Sequence, residues 1–488
     1  MASGRGPDAV VLGAGPNGLA AALTLARAGL AVQVVEGAAA PGGGCRTAEL
    51  TRPGFRHDIC SAVHPLAAAS PFFRSVDLAA RGVRLLTPEV AFAHPLDGGR
   101  AAAVFGSPAD TAAGLGRDAA RYQRLLGPLA RDADRILPAF LGPLRTVPAH
   151  PAAAARFAAE SLLPASVLAR GFATEEARGL LAGVSAHAIL PLRTPLTGGF
   201  GLMLTLVAHA VGWPVVAGGS AGITAALAAE LAELGGQVRT GRWITRLDEL
   251  PPALLTLLDV TPRQFLALAG GRLPARYAAA LRRFRYGPGV CKVDWALDGP
   301  VPWTAPACRR AGTVHVGGTF AEVASSEAAA AAGRHAERPF CIVAQPGVVD
   351  PSRAPAGQHT LWGYCHVPAG SDVDMSGRIE AQIERFAPGF TGRIIARSVR
   401  TAAAVEQHNP NYIGGDIAGG QGTLWQTLFR PAPQWNPYRT ALPGVYLCSS
   451  STPPGGGVHG MCGLHAARAA LADLRRGKAA PPRPAGGA

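Results

Sequence analysis

Three glycines, Gly13, Gly15 and Gly18, stand in the pattern G-x-G-x-x-G directly after an apolar run, Ala9-Val10-Val11-Leu12. That spacing suits one task, seating a diphosphate against bare backbone. The first glycine permits a tight turn, the second lets a phosphate approach, and the third lets a helix pack on the strand. Pro16 and Asn17 open that helix, whose free N–H groups and positive dipole end are suited to a pyrophosphate. Glu36 follows eighteen residues after Gly18. A carboxylate there hydrogen-bonds the two ribose hydroxyls and repels a 2′-phosphate. A second cluster, Gly42-Gly43-Gly44, runs into Cys45-Arg46-Thr47. It fits a loop along the same pyrophosphate from the other side, with Arg46 supplying charge. A third, Gly455-Gly456-Gly457-Val458-His459-Gly460-Met461, repeats the logic of buried strand, glycine turn and helix. His57, Asp58 and His64 form a further group, and a histidine there is suited to moving a proton. Lys292 lies in the apolar stretch Gly289-Val290-Cys291-Lys292-Val293-Asp294-Trp295, and the chain's one other lysine is Lys478. The alternation Val290/Lys292/Asp294 also allows it to face solvent, whereas burial would lower its pKa.

The elements that must position these residues follow from hydrophobic periodicity. The opening unit reads as strand 9–12, helix 16–28 and strand 32–35; Leu19, Leu23 and Ala26 share one helix face and Gly29 suits the C-cap. Residues 54–66 read as loop and short strand. From about 88 to 211, alanine- and leucine-rich helical segments (118–126, 129–140, 152–162) are divided by prolines. Residues 218–247 return to α/β texture, with a helix over 223–234 and strands at 237–240 and near 243–247. A further apolar strand ends at 257–262. Strands at 290–297 and 340–343 belong to a second, antiparallel sheet, and a last buried strand at 444–450 leads into a helix over 463–475. The expected fold class is α/β: a discontinuous Rossmann-type domain with an α+β second domain on a mixed or antiparallel sheet. The first draws on residues 1–88, 216–284 and 435–488. The second draws on 89–215 and 285–434, with a helical insertion over about 105–212. The two tails, 1–7 and 477–488, hold no core residues.

At 488 residues the chain is too long for one ordinary core. Its 48% hydrophobic and 16% charged content excludes wholesale disorder. The net charge of +14 comes from scattered arginines, densest at Arg282-Arg283-Phe284-Arg285. No helix or loop gathers them into a stripe, so nucleic-acid binding is not expected; a peripheral contact with anionic lipid stays open. Eight cysteines with no C-x-x-C pair and no Cys/His cluster argue against a metal centre or dithiol redox chemistry. They fit a reducing, cytoplasmic setting, and a strand beginning at Ala9 leaves no room for a secretory signal. Residues 198–219 carry no charge, but their glycines and Gly212-Trp213-Pro214 favour a buried helix over about 200–211 rather than a membrane span.

Eight stretches carry a resemblance: DAVVLGAGPNGLAAALTLARAGL, GGGCRT, FRHDICSAVHPL, GWPVVAGGS, LLDVTPRQ, RRFRYGPGVCKVDWALDGPVPW, EQHNPNYIGGDIAGG and YLCSSSTPPGGGVHGMCG. They resemble the FAD-dependent oxidoreductases of the phytoene dehydrogenase-like group, within the flavin amine oxidase and desaturase class. The match is weakest over 100–180. The resemblance implies a noncovalent FAD and hydride transfer to or from a largely apolar small molecule: dehydrogenation or desaturation, saturation, or isomerisation. The electron acceptor is left open among O2, a quinone and NAD(P); a second nucleotide domain is not expected from a single G-x-G-x-x-G unit. Gly13, Gly15, Pro16, Asn17, Gly18, Glu36, Gly43, Gly44, Arg46 and Thr47 would then hold the adenosine diphosphate end. Ile244 would offer backbone contacts to adenine, and Ser61 would lie near the middle of the cofactor. Ser450, Gly457, Val458, His459 and Met461 would meet the ring. Lys292 would sit by flavin N5, with His57 and His64 as acid–base candidates. Asn409, Asn411 and Tyr412 either line the substrate side or hold a loop. Two other readings stand beside this one: an amine oxidase using O2, for which no clear aromatic pair is visible, and a flavin-binding regulatory protein.

Overall fold

A computed structural model describes residues 6–143 and 148–478; the expectations for residues 1–5 and 479–488 lie outside it. Along the chain, β1 (Ala9–Leu12) leads through the glycine turn into α1 (Pro16–Ala26) and β2 (Val32–Val35). β3 (Val90–Pro95) and β4 (Ala101–Phe105) form an antiparallel pair, and a helical stretch ends in α2 (Thr197–Val211). α3 (Ala221–Glu233), β5 (Gln237–Arg239) and β6 (Leu255–Leu258) follow. Next come β7 (Gly289–Leu297), β8 (Ala311–Val316), β9 (Cys341–Ala344), β10 (His359–Val367) and β11 (Ile394–Arg400). β12 (Val445–Leu447) and α4 (Met461–Arg475) close the described chain.

Five strands form a parallel sheet in the order β12-β6-β1-β2-β5, so residues from both ends and the middle of the chain share one sheet. β1 and β6 lie inside it, and every one of their residues is buried, which is why both read as unbroken apolar runs. One face packs Leu19, Leu23, Ile223, Leu227, Ala466 and Ala470 from α1, α3 and α4. The other packs Phe265, Leu268, Leu273 and Leu281. The second sheet has seven strands in the order β11-β7-β10-β9-β8-β3-β4; it is antiparallel except for the parallel β8–β3 pair.

The expected strand near 243–247 does not form. Trp243 is 60% exposed, and Thr245 and Arg242 instead bond the Glu249 side chain and carbonyl, closing a turn. Of that stretch only Ile244 is fully buried, with Leu247 packed partly against the core, too little apolar surface to dock a strand. The helix expected at 200–211 runs from Thr197 to Val211 and is largely buried. Among the described residues no single helix is long and apolar enough to cross a membrane; one pair bent by 86°, Pro151–Ser161 with Ala165–Gly171, passes by length and composition alone.

α1 and α4 meet at their first turns. A Cβ on Gly463 would overlap the Asn17 carbonyl oxygen and stand 2.8 Å from the Ala21 nitrogen. Replacing Gly463 by Val is therefore expected to cost at least the ~1–3 kcal/mol of core overpacking, read as a lower urea midpoint.

Candidate dinucleotide and redox site

Gly13 holds φ +101°, a conformation that L side chains rarely adopt, and a Cβ on Gly18 would overlap the Gly13 carbonyl. The strand–turn–helix unit therefore depends on both glycines. The Glu36 carboxylate accepts the N–H groups of Ala14 (2.7 Å) and Ala38 (2.9 Å), and Arg46 Nη2 lies 3.7 Å from it. The second glycine loop lies on the first: Gly42 N–H donates to Ala14 O at 2.9 Å, and a Cβ on Gly43 would stand 2.9 Å from the Gly15 Cα. Ser61 N–H donates to Gly44 O at 3.0 Å. Thr47 is turned to the protein; its hydroxyl donates to Asp58 (2.9 Å) and accepts from Ala221 N–H (3.2 Å). Ile244 is buried, while its neighbour Trp243 covers Gly37 beside Glu36. The sequence reading passed over that tryptophan.

The second helix beginning reaches the same place. Asn17 Nδ2 donates to Ser450 Oγ at 3.4 Å, joining the start of α1 to the end of β12. Gly457 is exposed and Val458 half-buried in the turn before α4, with Met461 as its first residue. His459 is turned inward: Nδ1 accepts Met461 N–H at 3.1 Å, so Nε2 carries the proton and faces Gly455 O at 3.2 Å. Asn17 Oδ1, Arg46 Nε and both His64 ring nitrogens are buried without a hydrogen-bond partner. Buried polar atoms left unpaired are rare in folded proteins, and this set, together with the glycine cradle, fits a polar dinucleotide.

Beyond Gly43 a small pocket opens against the seven-stranded sheet. Ile59, Cys60, Val290, Val405 and Ile417 line it with Trp362, Tyr364, Tyr412, Lys292, Arg400 and His408; no carboxylate does. Strand register explains the grouping. Arg400, Lys292, Tyr364, Ile342 and His315 are successive cross-strand partners on β11, β7, β10, β9 and β8, so one row of side chains crosses the sheet. The intervening residues, Cys291, Val293, Trp295, Cys341, Cys365 and Val343, face an aliphatic core.

Lys292 is 4% exposed, so the solvent-facing alternative is overturned; it bonds the Asp294 carboxylate two residues on and lies 5.5 Å over the Trp362 ring. Burial pushes the lysine pKa down and the aspartate pKa up, each opposed by its partner. Those directions bring the two groups together in proton affinity, the condition for exchanging a proton with a nearby reacting atom. His57 Nδ1 lies 3.7 Å from Asp294, and its Nε2 meets the Thr51 hydroxyl at 2.8 Å. Burial first of all lowers His57 to about 3 and His64 to about 4, so both are neutral. Asn411 holds a loop, with Nδ2 donating to Asp259 O (2.9 Å) and Oδ1 accepting Thr261 N–H (3.2 Å). Sequence reasoning missed Asp294 as the lysine's partner, although the i, i+2 spacing on a strand put both on one face. It also missed the aromatic pair Trp362–Tyr364 (centroids 5.2 Å, interplanar 88°) and the buried Arg353, bonded to Asp58 (2.9 Å) and Asp350 (2.8 Å). A further buried pair, His366 Nδ1 with Glu327 (2.8 Å), lies next to Tyr364.

A family model described as an NAD(P)-binding Rossmann-like domain matches residues 11–76. Along nearly its whole length the chain is similar to the rat pyridine nucleotide-disulfide oxidoreductase domain-containing protein 2 (25% identical; 96% of this chain, 94% of the relative). It is 32% identical to 4,4′-diapolycopen-4-al dehydrogenase of Metabacillus indicus over 25% of each chain. Among solved structures, an oxidoreductase from Methanosarcina mazei superposes with TM-score 0.65 (15% identical; 95% of this chain, 99% of that one). Wild-type putrescine oxidase bound to putrescine gives 0.60 (17%; 96% and 99%). Fold and site thus define a Rossmann-type nucleotide-binding domain joined to a second domain built on a larger mixed sheet. The particular architecture is the one shared with the amine oxidase structures, a parallel nucleotide sheet beside a larger mixed sheet.

Several buried histidines are held neutral chiefly by burial: His57 and His187 at about 3, His64, His94 and His459 at about 4. Unfolding lets each regain an ordinary pKa near 6.5. Between those values the unfolded chain binds more protons, so stability is expected to fall as pH drops below about 6.5. Urea midpoints at pH 7 and pH 5 check this; equal midpoints would contradict it.

Proposed function

We propose that the chain is an FAD-dependent oxidoreductase of the flavin amine oxidase and desaturase class that moves a hydride to or from a largely apolar small molecule. One observation carries the reading: two helix beginnings, at Asn17 and Met461, converge, tied by the Asn17–Ser450 hydrogen bond and the close Gly463–Asn17 contact. FAD, when bound, supplies the hydride acceptor or donor. Gly13, Gly15, Asn17 and Gly18 hold the diphosphate, and Glu36 the ribose. The turn 457–461 and the start of α4 offer positive dipole to the pyrimidine edge, favouring the reduced, anionic ring. Lys292, kept in place by Asp294, orients water or O2 at the ring. Residues 1–88, 216–284 and 435–488 are taken as the FAD domain and the remainder as the substrate domain.

The phytoene dehydrogenase-like assignment is supported by the cavity, whose lining is aliphatic and aromatic apart from its cations. The name of the Metabacillus relative, a dehydrogenase, points the same way. The amine oxidase alternative gains the Trp362–Tyr364 pair and the putrescine oxidase likeness in fold. Against it, no carboxylate lines the cavity, and Arg400 beside the Lys292–Asp294 pair leaves it net positive, which disfavours an ammonium.

The purified chain is expected to be yellow, or to become so with added FAD; material that stays colourless in excess FAD sinks the proposal. Lys292→Met is expected to keep FAD while changing the rate at which dithionite-reduced flavin reoxidises in air by about tenfold or more, measured by stopped-flow absorbance. An unchanged rate would remove Lys292 from the ring.

A further inference from the structure

β6 ends at Leu258, and the next residue, Asp259, turns its side chain into the glycine turn that follows β1. Its Oδ2 accepts the Gly18 N–H at 3.0 Å. The fit is close on every side. A Cβ on Gly13 would stand 3.0 Å from the Asp259 Cβ, and a Cβ on Gly15 or Gly18 would stand 3.1 or 3.2 Å from Oδ2. The backbone is held as well: Asp259 N–H donates to Leu12 O at 2.8 Å, and Asn411 Nδ2 donates to the Asp259 carbonyl at 2.9 Å. The backbone that carries the carboxyl group is therefore fixed beside the turn, and the Gly18 N–H holds the carboxyl group itself.

Yet this turn and the N–H groups opening α1 are where a diphosphate binds. A carboxylate fixed there would set like charges in contact. No cation relieves it: among the described residues Asp259 joins no ion pair, and Arg46 is directed to Glu36 and Ala40 O. The titratable groups facing it are the Glu36 carboxylate at the end of β2 and two thiols, Cys448 after β12 and Cys462 on α4.

Resting on the FAD reading above, we propose that Asp259 is a cofactor-binding residue that acts as a neutral carboxylic acid. Its O–H donates to a diphosphate oxygen while the other oxygen keeps the Gly18 N–H, and wherever the free protein holds this group ionised, one proton from solvent enters the site with the dinucleotide. Nothing is oxidised or reduced in this step. The free protein is poised for it, since burial raises the Asp259 pKa to about 7, with the Gly18 N–H pulling down and Glu36 pushing up. Below that value the proton is already present and binding takes up none. Above it the free form is a carboxylate, each binding event takes up a proton, and affinity falls as pH rises, by up to about tenfold per unit.

The test uses the full chain freed of flavin, with FAD as the probe. Flavin fluorescence gives the dissociation constant from pH 6 to pH 9, and calorimetry in phosphate and in Tris counts the protons. Expected are a constant near pH 6, a Kd rising up to about tenfold per unit above pH 7, and uptake approaching one proton at pH 8. Asp259→Asn keeps an acceptor for Gly18 and a donor for the diphosphate but cannot titrate. It should bind with a flat profile, more tightly than wild type at pH 9, and without proton uptake. A pH-independent wild-type Kd with equal heats in both buffers overturns the proposal, as does an Asn variant that keeps the wild-type slope. If that variant does not fold, the wild-type proton count decides alone. Failure to bind FAD at any pH is a different result, overturning the FAD reading itself.

Discussion

The contact on which the rest of the molecule depends is the approach of α1 to α4 at the Asn17 carbonyl, where only a hydrogen fits on the Gly463 Cα. Two helices at ordinary spacing would leave their first turns apart, with dipole ends aimed at different places. Glycine removes the side chain that enforces that spacing. The Asn17–Ser450 bond then ties the second strand–turn to the first, so that residues separated by more than four hundred positions in the chain lie side by side. Glycines at 18 and 43 serve the same end, each where a Cβ would collide with backbone, and Gly13 does so through its φ of +101°.

The seven-stranded sheet separates chemistry from packing by the two-residue period of its strands. Along β7, Cys291, Val293 and Trp295 enter an apolar core, and Val290 and Lys292 line the cavity, with Asp294 holding Lys292 from the same strand face. Its neighbours repeat the division, so a polar and aromatic face looks toward the nucleotide loops. All eight thiols are free, seven are buried, Cys60 lines the cavity, and burial holds their pKa values up.

Charge is arranged with the same economy of position. The nucleotide turn carries acids, Glu36 and Asp259, bonded to backbone N–H groups; the cavity carries cations, Lys292 and Arg400. Between them Arg353 is buried with Asp58 and Asp350 and bonds Val216 O, locking the strap 56–58 to the segment before α3. Removing one member of such a buried set leaves another charge unpaired, so these groups stand or fall together.

Local chemistry made much of this legible in the sequence. The glycine spacing, the apolar runs of β1 and β2 and the acid at position 36 specify a nucleotide turn because every requirement is met within about thirty residues. The 3.6 and 2.0 periodicities located α2, α4, β7 and β9 to within a few residues. The resemblance carried the cofactor and the class of reaction, which no periodicity could supply. Where an element lacked its own apolar surface, as at 243–247, pattern alone misled. Tertiary structure decided what lies far apart in the chain: that Asp259 enters the turn of Gly13, Gly15 and Gly18, that Lys292 is buried rather than wet, and that Trp362, Tyr364 and Tyr412 reach one cavity. Those outcomes depend on which strands become neighbours and in what register, a property of the packed sheets that no single stretch of residues encodes.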